Sequence, residues 1–296
     1  MYVNILNYAG RRYLWCAVGL LLVSSGLYLS QDVNLPPNGG SWQGYVLGSL
    51  GLLLIIWLSA LGIRKRRYAS KSANLQAWVS AHVYLGLSLI GVATLHCAFQ
   101  FGLNVHTLAY ALMCAVILSG MIGLYAYLRY PRLLVENRAN QAFEQRLESL
   151  TEIDKEALAL AANCDVYIQS MISSAINRTA IGGNLLTQFL GRDKSTVLMP
   201  IHKTAPDETL LRANEGQQTV IDFLVAKIPD TNKPGEAERL QKLLYILGRR
   251  QELLRRLRRE LSLQLRLKLW LSVHIPLTIA LLVALFIHIF TVFFYW

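Results

Sequence analysis

Four of the six histidines fall into two pairs of identical spacing, His82 with His96 and His274 with His288. Fourteen residues make close to four turns at the ~3.5 residues per turn of a supercoiled helix, so both imidazoles of a pair leave one helix face. They stand about 21 Å apart along the axis, at 1.5 Å per residue. Two imidazoles meeting at one depth of a helical bundle suit the axial positions of a six-coordinate b-type haem, held without covalent attachment. Two such haems would need four ligands, and His82, His274, His96 and His288 supply them. With both axial positions filled, the chemistry favoured is electron transfer and not binding of oxygen or substrate at the metal. Zinc or copper would ask for three or four ligands at one depth, whereas each depth here offers two, with Cys97 as the nearest thiol. Helix-to-helix hydrogen bonding is the alternative for such histidines; two pairs at the same spacing argue against it.

The elements that must carry these pairs are membrane spans. Apolar residues make up 54% of the chain and charged residues 16%, with mean hydropathy +0.36, against about 45–50% and about 25% in soluble domains. All of the 18 acidic residues except Asp32 lie between Glu136 and Glu260. Outside that region, stretches at 13–30, 43–63, 77–100, 105–128 and 270–294 carry no Asp, Glu, Lys or Arg and are near the ~20 residues that cross a bilayer as helix. The fold class expected is therefore all-α, a five-span membrane bundle. Its parts are spans one to four in 1–130, a mainly helical cytoplasmic insert in 131–268, and span five in 269–296. The first span lacks a small-residue cleavage site and reads as an anchor.

Basic residues set the orientation. Arg11 and Arg12 precede span one, Arg64 to Arg67 and Lys71 join spans two and three, and Arg129 and Arg132 follow span four, while the alternate loops lack Lys and Arg. The positive-inside rule places the N-terminus and the insert in the cytoplasm, in the cell (inner) membrane, with Phe293-Phe294-Tyr295-Trp296 as an aromatic anchor at the far face. The net charge of +11 is then topology and helix surface; no nucleic-acid motif accompanies it. The four cysteines, Cys16, Cys97, Cys114 and Cys164, form no CxxC or CxxCH.

Spans three and five align without a gap. Trp78-Val79-Ser80-Ala81-His82 matches Trp270-Leu271-Ser272-Val273-His274. Both spans cross in the same direction, so His82 can meet His274 on the cytoplasmic side and His96 can meet His288 on the other. Gly86 and Gly91 lie between the ligands of span three, where a missing side chain admits a flat macrocycle or a packed helix. Pro276 is expected to kink span five. His106, at the outer start of span four, and His202, in the insert, read as surface residues, with His106 a candidate for the outer haem edge.

The paired His-x13-His spans resemble the di-haem transmembrane cytochromes b, most closely the ferric-reductase-like transmembrane domain of ferric reductases and NADPH oxidases. That resemblance implies axial ligation by His82, His96, His274 and His288. It covers the membrane part alone; the family's sixth span and its flavin- and NADPH-binding domain have no counterpart in these 296 residues. The Pro-Glu-Trp-Tyr motif of quinol-oxidising cytochromes b is also lacking.

In the insert, Thr151-Glu152-Ile153-Asp154 reads as a helix start, residues 182–234 as loops with short helices, and the leucine rhythm from Leu240 to Leu265 as a helix running into span five. That helix is expected to pack on the one after Pro131. Arg249, Arg250, Arg255, Arg256, Arg258 and Arg259 form a basic run on it, either a solvated face near lipid headgroups or a dock for an acidic redox partner. The sequence therefore implies transmembrane electron transfer through two b-type haems, as subunit or partner of a redox system rather than as a self-contained enzyme. Membrane lipid, redox proteins on one or both faces and a quinone are its expected partners. Two alternatives remain: a quinol or metal-ion reductase with a site at a haem edge, and a membrane scaffold or sensor whose histidines only pack.

Overall fold

A computed structural model describes residues 5–31, 39–66, 75–138, 142–202, 205–230 and 235–294. Among the described residues, five helices are long and apolar enough to cross a membrane, and the chain is an all-α membrane bundle. Four of them are α1 (Arg12–Leu29), α2 (Trp42–Arg66), α3 (Leu75–His96) and α4 (Val105–Arg138). Helix is the form such runs must take in hydrocarbon, because it satisfies every backbone group within the segment. After α4 follow α5 (Phe143–Ala161), α6 (Val166–Asn177), α7 (Leu185–Leu190), β1 (Thr196–His202), β2 (Ala205–Ala213), α8 (Gln218–Lys227) and α9 (Glu236–Phe294). The chain divides into two compact units, Met1–Tyr125 with Trp270–Trp296, and Ala126–Leu269.

The first unit holds the apolar helices. Ile55, Leu89, Met113 and Leu281, one from each of α2, α3, α4 and α9, form its buried cluster. Leu89 lies seven residues from both His82 and His96, and Leu281 seven from both His274 and His288. Their burial shows that the histidine stripe of each helix faces inward. Leu22, Val23, Ile122 and Phe286 stay exposed, as side chains against lipid would. Gly91 is a packing glycine: a Cβ there would run into Leu21 of α1. The cleft expected to admit a macrocycle is filled by that leucine. Around Gly86 a Cβ would meet nothing. Helix α9 runs unbroken through Pro276.

The second unit wraps short helices around the first part of α9. Ile153 and Ala157 of α5, Ile168, Met171 and Ile172 of α6, Val197 of β1, Leu224 of α8, and Leu240, Leu243 and Leu247 of α9 make one core. Leu150 of α5 packs with Leu254 and Leu257 of α9 in a second cluster. Three local expectations change. Helix α4 continues through Pro131 to Arg138, so the proline does not open a new helix. Thr151 lies inside α5, its hydroxyl bonded back to the Leu147 carbonyl at 3.1 Å, and the helix starts instead where the Gln145 side chain accepts from the Ala142 N–H at 2.9 Å. Within 182–234, an antiparallel hairpin pairs Thr196 with Ala213 and Leu198 with Leu211, where loops were expected. Its inward residue Val197 is fully buried, and that burial holds the ladder.

The arginine run is not one solvated face. Arg250 is buried and donates to Asp154 at 2.5 Å, Gln217 at 2.8 Å and Thr179 at 3.0 Å. Arg146 likewise pairs with Glu260, both shut off from solvent. A buried pair of this kind is costly to break singly, because the remaining charge has no solvent.

Candidate functional site

Two histidine layers lie in the first unit. In the second layer the rings of His96 and His288 have centroids 6.1 Å apart, with planes at 89°. Two metal–imidazole bonds of about 2 Å, plus the distance from nitrogen to ring centre, call for about 6 Å. In the first layer His82 lies within electrostatic range of His274. First meets first and second meets second, which requires α3 and α9 to run in the same direction.

Neighbouring groups fix the direction of the rings. Nδ1 of His96 is 2.8 Å from the Gly44 carbonyl of α2. A carbonyl only accepts, so Nδ1 carries the proton and Nε2 the lone pair. One turn further on α2, a Cβ on Gly48 would come within 2.7 Å of Cε1 and 3.0 Å of Nδ1 of the same ring. Gly44 and Gly48 thus form a groove that seats His96, at the small-x-x-x-small spacing of close helix contacts. Sequence reasoning looked for such glycines on span three; the signal was on span two.

His274 is held from α4. Nδ1 is 2.6 Å from the Ser119 hydroxyl, and that hydroxyl donates its one proton to the Val116 carbonyl at 2.8 Å. With that proton on the Val116 carbonyl, Ser119 accepts from His274 Nδ1–H and the lone pair stands on Nε2. Trp270 stacks on the His274 ring at 5.3 Å and 26° and donates Nε1–H to the Ser119 carbonyl at 2.7 Å. Gly123 makes room for the indole, since a Cβ there would overlap it. A Cβ on Gly120 would lie at ordinary van der Waals distance, 3.7 Å, from Cε1 of His274.

His106 is not a free surface residue. Its Nδ1 is hydrogen-bonded to Nδ1 of His288, and the two rings stand 4.5 Å apart at 89°. His82 differs from the other three: its Nδ1 is buried without a hydrogen bond among the described residues, although the Leu58 carbonyl lies within interaction range of the ring. His202 belongs to β1, and its side chain lies outside the described residues, as do Tyr295 and Trp296.

Among the described residues, no three or more His, Cys, Asp or Glu side chains form a group able to hold a metal ion. The arrangement suits an ion that brings its own equatorial ligands and asks for one imidazole on each side. In that sense His96 and His274 suit haem, since an Nδ1 turned to a carbonyl or a hydroxyl leaves Nε2 to face an ion. Anchoring of the far ring nitrogen is how proteins orient a ligating histidine. No family model, curated protein or solved structure matches this chain.

Proposed function

We propose that the protein is a transmembrane electron-transfer cytochrome, a subunit or partner of a redox system. His82 and His274 would hold one b-type haem, and His96 and His288 a second. The observation that supports this most is the tautomer of His96, with Nδ1–H committed to the Gly44 carbonyl and Nε2 available. When bound, such a haem would supply a one-electron iron couple.

The chain's own part is positioning and insulation. Gly44 and Ser119 orient two of the ligands. Ile55, Leu89, Met113 and Leu281 put a dry apolar layer between the two depths. No Asp or Glu lies on the apolar stretches that carry the layers, so the reading is electron transfer without a proton relay of carboxylates. By the distribution of basic residues the N-terminus is cytoplasmic, in the cell (inner) membrane, and the first layer is the cytoplasmic one. Redox proteins on one or both faces would deliver and collect the electrons.

The full chain, produced with ample haem and purified in detergent, should carry two haems per chain by pyridine haemochrome. Its spectrum should be that of a six-coordinate iron in both oxidation states. A colourless chain from haem-replete cells would overturn the proposal.

A further inference from the structure

Part of the arginine run faces a cavity within the second unit. The cavity has a volume of about 680 Å³, within the range of roughly 300–1,000 Å³ usual for small-molecule sites. Arg255, Arg258, Arg259 and Arg266 line it, and among the described residues lining it the acids are Asp193 and Glu252.

These charges are not equivalent. Arg258 is spent on the fold: its three nitrogens reach Asp193 at 2.7 Å, the Ala180 carbonyl at 2.9 Å and the Ser195 hydroxyl at 3.1 Å. Glu252 is divided between Arg255, in a fork at 2.8 and 3.0 Å, and Arg256 at 2.7 Å. Arg266 donates to a neutral acceptor, the Phe189 carbonyl, at 3.1 and 3.0 Å, and keeps its full charge. Arg259 is exposed.

Arg255, Arg259 and Arg266 stand at i, i+4 and i+11 of α9 and so share one stripe. It extends about 16 Å along the helix, at 1.5 Å per residue. The cavity thus carries two positive charges more than its carboxylates match. Guanidinium groups in a row bind phosphate oxygens through paired hydrogen bonds.

We propose that this cavity binds an anion carrying two phosphate groups, held by Arg255, Arg259 and Arg266. Such an anion could be a soluble diphosphate or a two-phosphate lipid headgroup, and both offer the same chemistry to the arginines. The proposal does not depend on the haem reading.

The test uses the full chain in phosphatidylcholine nanodiscs. One arm titrates inorganic pyrophosphate by calorimetry; the other adds cardiolipin and counts retained lipid by native mass spectrometry. Saturable binding of one anion per chain is expected, and the responding arm identifies the source. Joint Arg259→Ala and Arg266→Ala substitution should weaken it at least tenfold. Glu252→Gln, which releases Arg255 and Arg256, should tighten it several-fold. Arg249→Ala, outside the cavity and 3.9 Å from Glu156, should leave it unchanged. The absence of binding in both arms, or equal loss with Arg249→Ala, would overturn the proposal.

Discussion

The two histidine layers have the same spacing on the same two helices, yet they are braced by different chemistry. In the second layer His96 sits against bare backbone, the Gly44 carbonyl and the gap at Gly48, and His288 leans on His106. In the first layer His274 is held by side chains, Ser119 and Trp270, and the Nδ1 of His82 has no hydrogen bond among the described residues. A ligand seated on backbone is fixed by the helix itself, whereas one held by a hydroxyl can be loosened by a single side-chain change. On the proposed reading the layers should therefore differ in how firmly each would hold a haem and in how that hold can be broken.

The largest effect comes from the ligands themselves. His96→Ala or His288→Ala should remove the second haem entirely and leave the first, so the pyridine haemochrome falls to one haem per chain. His82→Ala or His274→Ala should do the converse, with a different residual spectrum. Loss of both haems from every single substitution would show that the layers are not separate sites.

A smaller but sharper contrast lies in two glycines. A Cβ at Gly48 would sit 2.7 Å from Cε1 of His96, and one at Gly120 would sit 3.7 Å from Cε1 of His274. His96 cannot swing away without losing the Gly44 carbonyl, one turn back on the same helix. Gly48→Ala should thus weaken haem retention in the second layer by about fivefold to about 150-fold, in line with the usual cost of about 1–3 kcal/mol for overpacking. Gly120→Ala, at ordinary contact distance, should leave the first layer within about twofold. Haem loss to apomyoglobin, followed layer by layer in spectra, reads both.

The sequence carried the layers but not their braces. Equal His-x13-His spacing announced two inward stripes, and Leu89 and Leu281 lie midway on them because a heptad repeats one face. Hydropathy located the five spans for the same reason: length and apolarity are local properties. What holds Nδ1 was not legible, because it depends on which helix lies beside which. Gly44 and Gly48 show an i, i+4 pair of small residues, and only packing tells that the partner is a histidine. His106 read as a surface residue at the start of span four because its contact, His288, lies 182 positions away. The same limit hid Arg250 and Arg258, whose partners are in other elements, inside a run that reads as surface. The β1–β2 hairpin was masked by the Gly, Pro and Asn around it; the burial that fixes Val197 is tertiary.

Removal of one anchor per layer comes next in size. Ser119→Ala takes the acceptor from His274 Nδ1–H, and His106→Phe takes the partner from His288. Loss of such a partner commonly costs about 10–100-fold in metal affinity. Ser119→Ala should release the first haem and spare the second, and His106→Phe should do the reverse. The reduction potential of the affected layer should move while that of the other stays, which a mere loss of helix stability would not produce. Equal effects of either variant on both layers would erase the distinction drawn between them.

The smallest effect separates two tryptophans that the sequence alignment of spans three and five treats as equivalent. Trp270 stacks on His274 and bonds the Ser119 carbonyl, whereas Trp78 stacks on Trp57 at 4.6 Å and 14°. Trp270→Phe keeps an aromatic ring against the imidazole and deletes one neutral hydrogen bond, worth about 1 kcal/mol. At about 1.4 kcal/mol per factor of ten, first-layer haem retention should fall by roughly fivefold. Trp78→Phe leaves the stack with Trp57 in place, and retention should stay within about twofold. The ratio of the two haem-loss rates is the readout, since both substitutions shave a similar amount of aromatic surface from the bundle. A ratio near one would mean that Trp270 fills space as Trp78 does, and that His274 owes its orientation to Ser119 alone.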